Sequence, residues 1–89
     1  MDAKTKKVIR DNVGGGADKV SFKKDGAIVF KRSYFYRHGY SAEKFGAAIE
    51  ERLTVQGFKI ASLETRDAWA AWPRDSYFIA TVRLEGSRL

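Results

Sequence analysis

Two short segments concentrate the side chains able to do chemistry. The first, Lys31-Arg32-Ser33-Tyr34-Phe35-Tyr36-Arg37-His38-Gly39-Tyr40, brings four aromatic rings, three Lys/Arg cations and the chain's one histidine into ten positions. Cations meet phosphates, and aromatic faces stack on bases at about 1–3 kcal/mol each. The interleaving therefore suits a nucleic acid or nucleotide. It equally suits a strand whose rings fill a core and whose tyrosine hydroxyls reach the rim. On that reading Tyr34 and Tyr36 are structural; on the binding reading Arg37, His38 and one ring make the contacts. The second segment is Trp69-Ala70-Ala71-Trp72-Pro73-Arg74-Asp75. Two tryptophans in one connection either cap the core or form a stacking clamp with Arg74 as the anion contact. Pro73 stiffens the loop on both readings. If the two segments meet, Arg37, His38, Tyr40, Trp69, Trp72 and Arg74 line one aromatic, cationic pocket, with Lys31 and Arg32 beside it. Whether they meet depends on strand order, which the sequence leaves open.

Support for catalysis is thin. A chain with no cysteine has no thiolate nucleophile, thiolate zinc site or disulfide framework. One histidine cannot make a two-histidine metal site, and no nucleophile signature of the GxSxG kind appears. His38 beside Arg37 and Tyr40 is the one candidate general base, but a loop histidine is far more often a hydrogen-bonding surface group. The expectation is a non-catalytic binding protein with no cofactor and no metal.

Charge points the same way. The 89-residue chain carries a net +6. Residues 1–40 hold ten Lys/Arg against four acids, and residues 41–89 hold seven of each sign, so the whole excess lies in the first part of the chain. One-sided charge favours an anionic partner, whether nucleic acid, nucleotide or an acidic protein surface. The competing reading is a solvated surface tuned for solubility. The basic stretch at residues 4–10 is the next candidate should the two aromatic segments not be the site. The start of the chain shows no apolar signal segment, and no run approaches the ~20 apolar residues of a membrane span. A cytoplasmic protein without membrane contact is expected.

The elements that must position these residues read as follows. Residues 1–19 are expected to be a basic, glycine-rich, partly flexible arm, in which Val8, Ile9 and Val13 mark either a short helix or part of an edge strand. Gly14-Gly15-Gly16 suits a hinge better than a phosphate loop, because it lacks the Lys-Ser/Thr ending of such loops. Residues 20–89 form the α+β domain. Asp25-Gly26 signals a hairpin. A three-residue loop with Gly26 left-handed gathers Val20, Phe22, Ile28, Phe30, Tyr34 and Tyr36 on one face, which the two-residue alternative does not. Arg32 then falls on the aromatic face, near its rim. Ser41 caps a helix over residues 42–56 with Ala42, Phe45, Ala48, Ile49 and Leu53 as its apolar stripe, and Gly57 stops it. Gly46 within that helix points to close approach to the sheet. Residues 58–65 and 77–85 read as strands and 66–76 as a connection. The order β-β-α-β-β implies one helix packed on a four-stranded antiparallel sheet.

The stretch Tyr34-Phe35-Tyr36-Arg37-His38-Gly39-Tyr40-Ser41 with Glu43-Lys44-Phe45, paired with Trp72-Pro73-Arg74-Asp75-Ser76-Tyr77-Phe78, resembles small uncharacterised proteins encoded by bacteriophages and prophages, over about residues 20–85. The resemblance carries no site residues. It implies a context, in which such accessory proteins bind and block host factors, including defence proteins, or sequester nucleotide signals. The alternative function is accordingly a protein-interaction module that inhibits a host protein, with the tryptophan segment as its hot spot. An exposed strand edge also allows a homodimer.

Overall fold

The computed structural model describes residues 2–14, 19–33, 41–68 and 77–85. Along the chain they form α1 (Ala3–Asn12), β1 (Lys19–Phe22), β2 (Ile28–Ser33), α2 (Ala42–Val55), β3 (Ile60–Ala68) and β4 (Tyr77–Leu84). The α+β class and the four-stranded antiparallel sheet are as expected, with strand order β1-β2-β4-β3. The element order is corrected to α-β-β-α-β-β, with two helices instead of one.

The added helix occupies most of the expected basic arm. Asp2 caps it, accepting the Thr5 backbone N–H at 2.7 Å and so satisfying a donor that a helix start leaves unpaired. Ile9 and Val13, one helical turn apart, are fully buried in the same core cluster as α2. Arg52 of α2 donates from Nη1 to the Val13 carbonyl at 3.2 Å, tying the end of α1 to α2. An apolar signal of two buried residues among many lysines is weak, which is why the segment reads as an arm. Gly14, the first of the expected hinge glycines, is buried; Gly15 and Gly16 lie outside the described residues.

The hairpin adopts the register that gathers its apolar side chains, with Phe22 opposite Ile28 and Val20 opposite Phe30. Gly26 sits at φ 94°, the left-handed conformation that a side chain would resist. Extended across the sheet, the register builds two rungs beneath the helices: Phe22–Ile28–Val82–Leu63 and Val20–Phe30–Ala80–Thr65. Phe30, Phe45, Phe78, Ile28, Ile49, Leu53 and Val82 are fully buried there, with Ile9 and Val13.

Ser41 accepts the Lys44 N–H at 3.2 Å at the start of α2, and Gly57, at φ 90°, follows its end. A Cβ on Gly46 would stand 2.3 Å from Thr65 Cγ2 and 3.6 Å from Leu63 Cδ2, so the helix lies directly on β3. Two strand expectations need correction. Phe58 N–H bonds back to the Leu53 carbonyl at 3.0 Å, so β3 starts at Ile60 and not at 58. At its other end, Arg66, Asp67 and Ala68 continue to pair with β4, so the strand runs three residues into the expected connection. Ile79, paired with Lys31 on the face of β4 away from the helices, is only 6% exposed.

Candidate anion-binding surface

A β-strand turns successive side chains to opposite faces. Lys31 and Arg32, both candidate contacts, therefore share β2 but not a direction. Lys31 lies on the face away from the helices, in a rung Lys19–Lys31–Ile79–Arg66. Arg32 lies on the helix face, as its register requires, opposite the buried Phe78. Both are half-buried. Arg37, His38, Tyr40, Trp69, Trp72 and Arg74 lie outside the described residues. The points where their segments join the sheet do not. Ser33, the last residue of the first segment that belongs to β2, and Ala68 and Tyr77, which bracket the second, fall on one rung: Ser33 opposite Tyr77, and Tyr77 opposite Ala68. Both segments are tethered to one end of the sheet, which resolves the strand-order question left open by the sequence.

At the other end of the sheet, α1 meets the hairpin turn. Phe22, half-buried at the end of β1, is the meeting point. Lys6 Nζ lies 5.5 Å from its ring centroid and Arg10 Cζ lies 5.0 Å from it. Lys6 and Arg10 are one helical turn apart, so they present both cations to the same ring. Such contacts hold a cation over an apolar base without neutralising it. A cavity of about 230 Å3 opens beside the ring, lined by Lys6, Phe22, Lys23, Lys24, Gly26, Ala27 and Ile28.

The nearby carboxylates are committed elsewhere. Asp2 caps α1, and the Thr5 backbone N–H lowers its pKa below the ordinary value. Asp11 takes Lys7 at 2.8 Å, which raises the lysine's pKa. Asp25, inside the turn, accepts Arg83 Nη2 at 2.9 Å and the Ala27 N–H at 3.1 Å; these two bonds, Arg83 first, hold its carboxyl below its ordinary value. No carboxylate among the described residues pairs with Lys6, Arg10, Lys23 or Lys24. The result is a half-buried aromatic ring and an adjoining cavity flanked by four cations that no carboxylate among the described residues pairs with, which can hold a phosphate with an apolar or planar group beside it.

Sequence reasoning placed a basic segment at residues 4–10 but not its pairing with Phe22, Lys23 and Lys24. The available signals were Asp2 as a helix cap and the four-residue spacing of Ile9 with Val13 and of Lys6 with Arg10. Among the described residues no group of three or more His, Asp or Glu could hold a metal ion, and no helix is long and apolar enough to cross a membrane. No protein-family model, no curated protein and no solved structure matches the chain.

Proposed function

We propose that the protein is a non-catalytic binder of nucleic acid or a nucleotide and that the α1–hairpin side of the molecule carries the phosphate contacts. One observation supports this reading most. α1 lies against the hairpin, so that Lys6 and Arg10 stand over the Phe22 ring while Lys6, Lys23 and Lys24 line the cavity beside it, none of the four with a carboxylate partner among the described residues. Phosphates would take the cations, and a base or sugar would take the ring and cavity. The two aromatic segments tethered at the opposite end of the sheet, with Arg37, His38, Tyr40, Trp69, Trp72 and Arg74, are a second contact region on the same ligand or the seat of a different partner.

Titration of labelled single-stranded DNA, RNA, duplex DNA and nucleotides over a range of salt tests the reading. Binding should fall steeply as salt rises. Lys23→Ala and Lys24→Ala should each weaken it and lower the salt slope by about 1. Absence of affinity for every one of these ligands at low salt overturns the proposal. Loss of binding in Arg37→Ala and Trp72→Ala, with the two lysine variants unchanged, moves the site to the other end of the sheet. A stoichiometric protein partner that survives nuclease and high salt replaces this reading with that of a host-protein inhibitor.

A further inference from the structure

The sheet has two edges, and they differ. One is β1, four residues long, which begins with Lys19 and is followed by Lys23 and Lys24. The other is β3, nine residues long, and no described strand pairs with its outer side. Ala61, Ser62, Glu64, Arg66 and Asp67 along it are exposed. An unpaired edge of this length is a template for another strand. Its own sequence selects which strand.

We infer that β3 pairs with β3 of a second copy, antiparallel about a two-fold axis through Thr65. The argument is one of register. Paired residues in a sheet lie on the same face, so a two-fold axis normal to the sheet must pass through a residue and not between residues. An axis at Glu64 sets Glu64 against Glu64 of the second copy. An axis at Arg66 or Asp67 likewise opposes like charges. Like charges directly across a strand pair destabilise it. An axis at Leu63 runs into the bulge between Ile60 and Ser62, where Ala61 is an extra residue against β4 and the alternation of faces is broken. An axis at Thr65 uses only the regular residues Ser62 to Ala68. It places Glu64 opposite Arg66 and, by symmetry, Arg66 opposite Glu64. Both pairs fall on the face away from the helices, where Glu64 and Arg66 are exposed and no carboxylate or cation among the described residues already holds them. Of the axes from Leu63 to Asp67, this one alone sets opposite charges across from each other; on the helix face it sets Leu63 across from Asp67.

The test is the mass of the nuclease-treated full chain at low ionic strength, by sedimentation or light scattering. The nuclease step makes the result independent of nucleic-acid binding. The expected mass is twice the protomer's 10.1 kDa. Glu64→Arg and Arg66→Glu should each sediment as monomers, because each makes both cross-strand pairs like-charged. An equimolar mixture of these two variants should return to the dimer, and so should the double variant Glu64→Arg/Arg66→Glu. Circular dichroism of each variant should match the parent, since both side chains are exposed. A wild-type chain that stays at 10.1 kDa, single variants that remain dimeric, or a mixture that does not recombine overturns the inference.

Discussion

The two helices lie on the same face of one sheet and are built differently. α2 buries Ala42, Phe45, Gly46, Ile49 and Leu53, touches β3 closely enough to require a glycine, and starts with Ser41 and Glu43, whose charge suits a helix N-terminus. α1 buries Ile9 within the helix and Val13 just beyond it, has no acidic residue in its first turn, and gives four of its ten residues to lysine and arginine. α2 belongs to what makes the chain fold. α1 is attached to that body through two buried apolar residues, the Arg52 tie and the contacts of Lys6 and Arg10 with the Phe22 ring, and it carries charge. The lesson is a division of labour: α2 carries the deep packing, and α1, whose Lys6 and Arg10 have no carboxylate partner among the described residues, is lightly anchored.

The sharpest way to break this comparison is to empty the same core from either side. Leu53→Ala should cost about 2–5 kcal/mol and lower the melting of the whole domain. Ile9→Ala should fall at the low end, about 2 kcal/mol, because α1 can undock while the sheet persists. Native-state amide exchange separates the two, since α1 amides should lose protection in Ile9→Ala while those of β2 and β4 keep it. If Ile9→Ala melts as early as Leu53→Ala and exposes β4, α1 is part of the folding body and the comparison fails.

A smaller effect sharpens the picture of α2. Gly46→Ala should gain about 1 kcal/mol of helix propensity, yet its Cβ would meet Thr65 Cγ2 at 2.3 Å. Overpacking of this kind costs about 1–3 kcal/mol, so the variant should melt below the parent. Adding Thr65→Ser removes the offending methyl and should recover most of the loss. A thermal melt in which Gly46→Ala is stabilised means the helix stands off the strand.

The smallest effect concerns the turn. Asp25 ionises below its ordinary value because Arg83 and the Ala27 N–H bind its carboxylate. A carboxylate with a depressed folded pKa contributes stability above its unfolded pKa, and that contribution disappears as pH falls through the folded one. Acidification through the carboxylate range should therefore loosen the hairpin turn. Asp25→Asn should lose a little stability at neutral pH and show a shallower acid limb in melting temperature against pH. An unchanged acid limb means that the exposed Asp25–Arg83 pair contributes nothing to the fold.

How much of this was legible in the sequence follows from where strong local signals lie. The hairpin register was readable because Asp25-Gly26 and the period-two apolar pattern agree, and only one pairing gathers Val20, Phe22, Ile28 and Phe30 on one face. α2 was readable from Ser41, its stripe and Gly57. The requirement for Gly46 was anticipated as a close approach, although its partner Thr65 was not. α1 was missed as a packed element because helix burial there rests on two residues, too few to outweigh the lysines. The rung shared by Ser33, Tyr77 and Ala68 was invisible because strand order is a tertiary property. The cluster around Phe22 was invisible for a related reason: Lys6 and Arg10 are brought to that ring by the docking of α1, not by any spacing along the chain.

The strand order has a consequence for how the molecule comes into being. β4 is the last in sequence of the four described strands, yet it sits between β2 and β3. On a chain emerging from the ribosome, the β1–β2 hairpin can form early by local contacts, and α2 can form next. Neither has a sheet to lie on until residues 77–84 arrive and slot into the centre. Closure of the domain is therefore a late, all-or-none event in synthesis, and a chain released before β4 would present the pairing edges of β2 and β3 together, a species prone to aggregate.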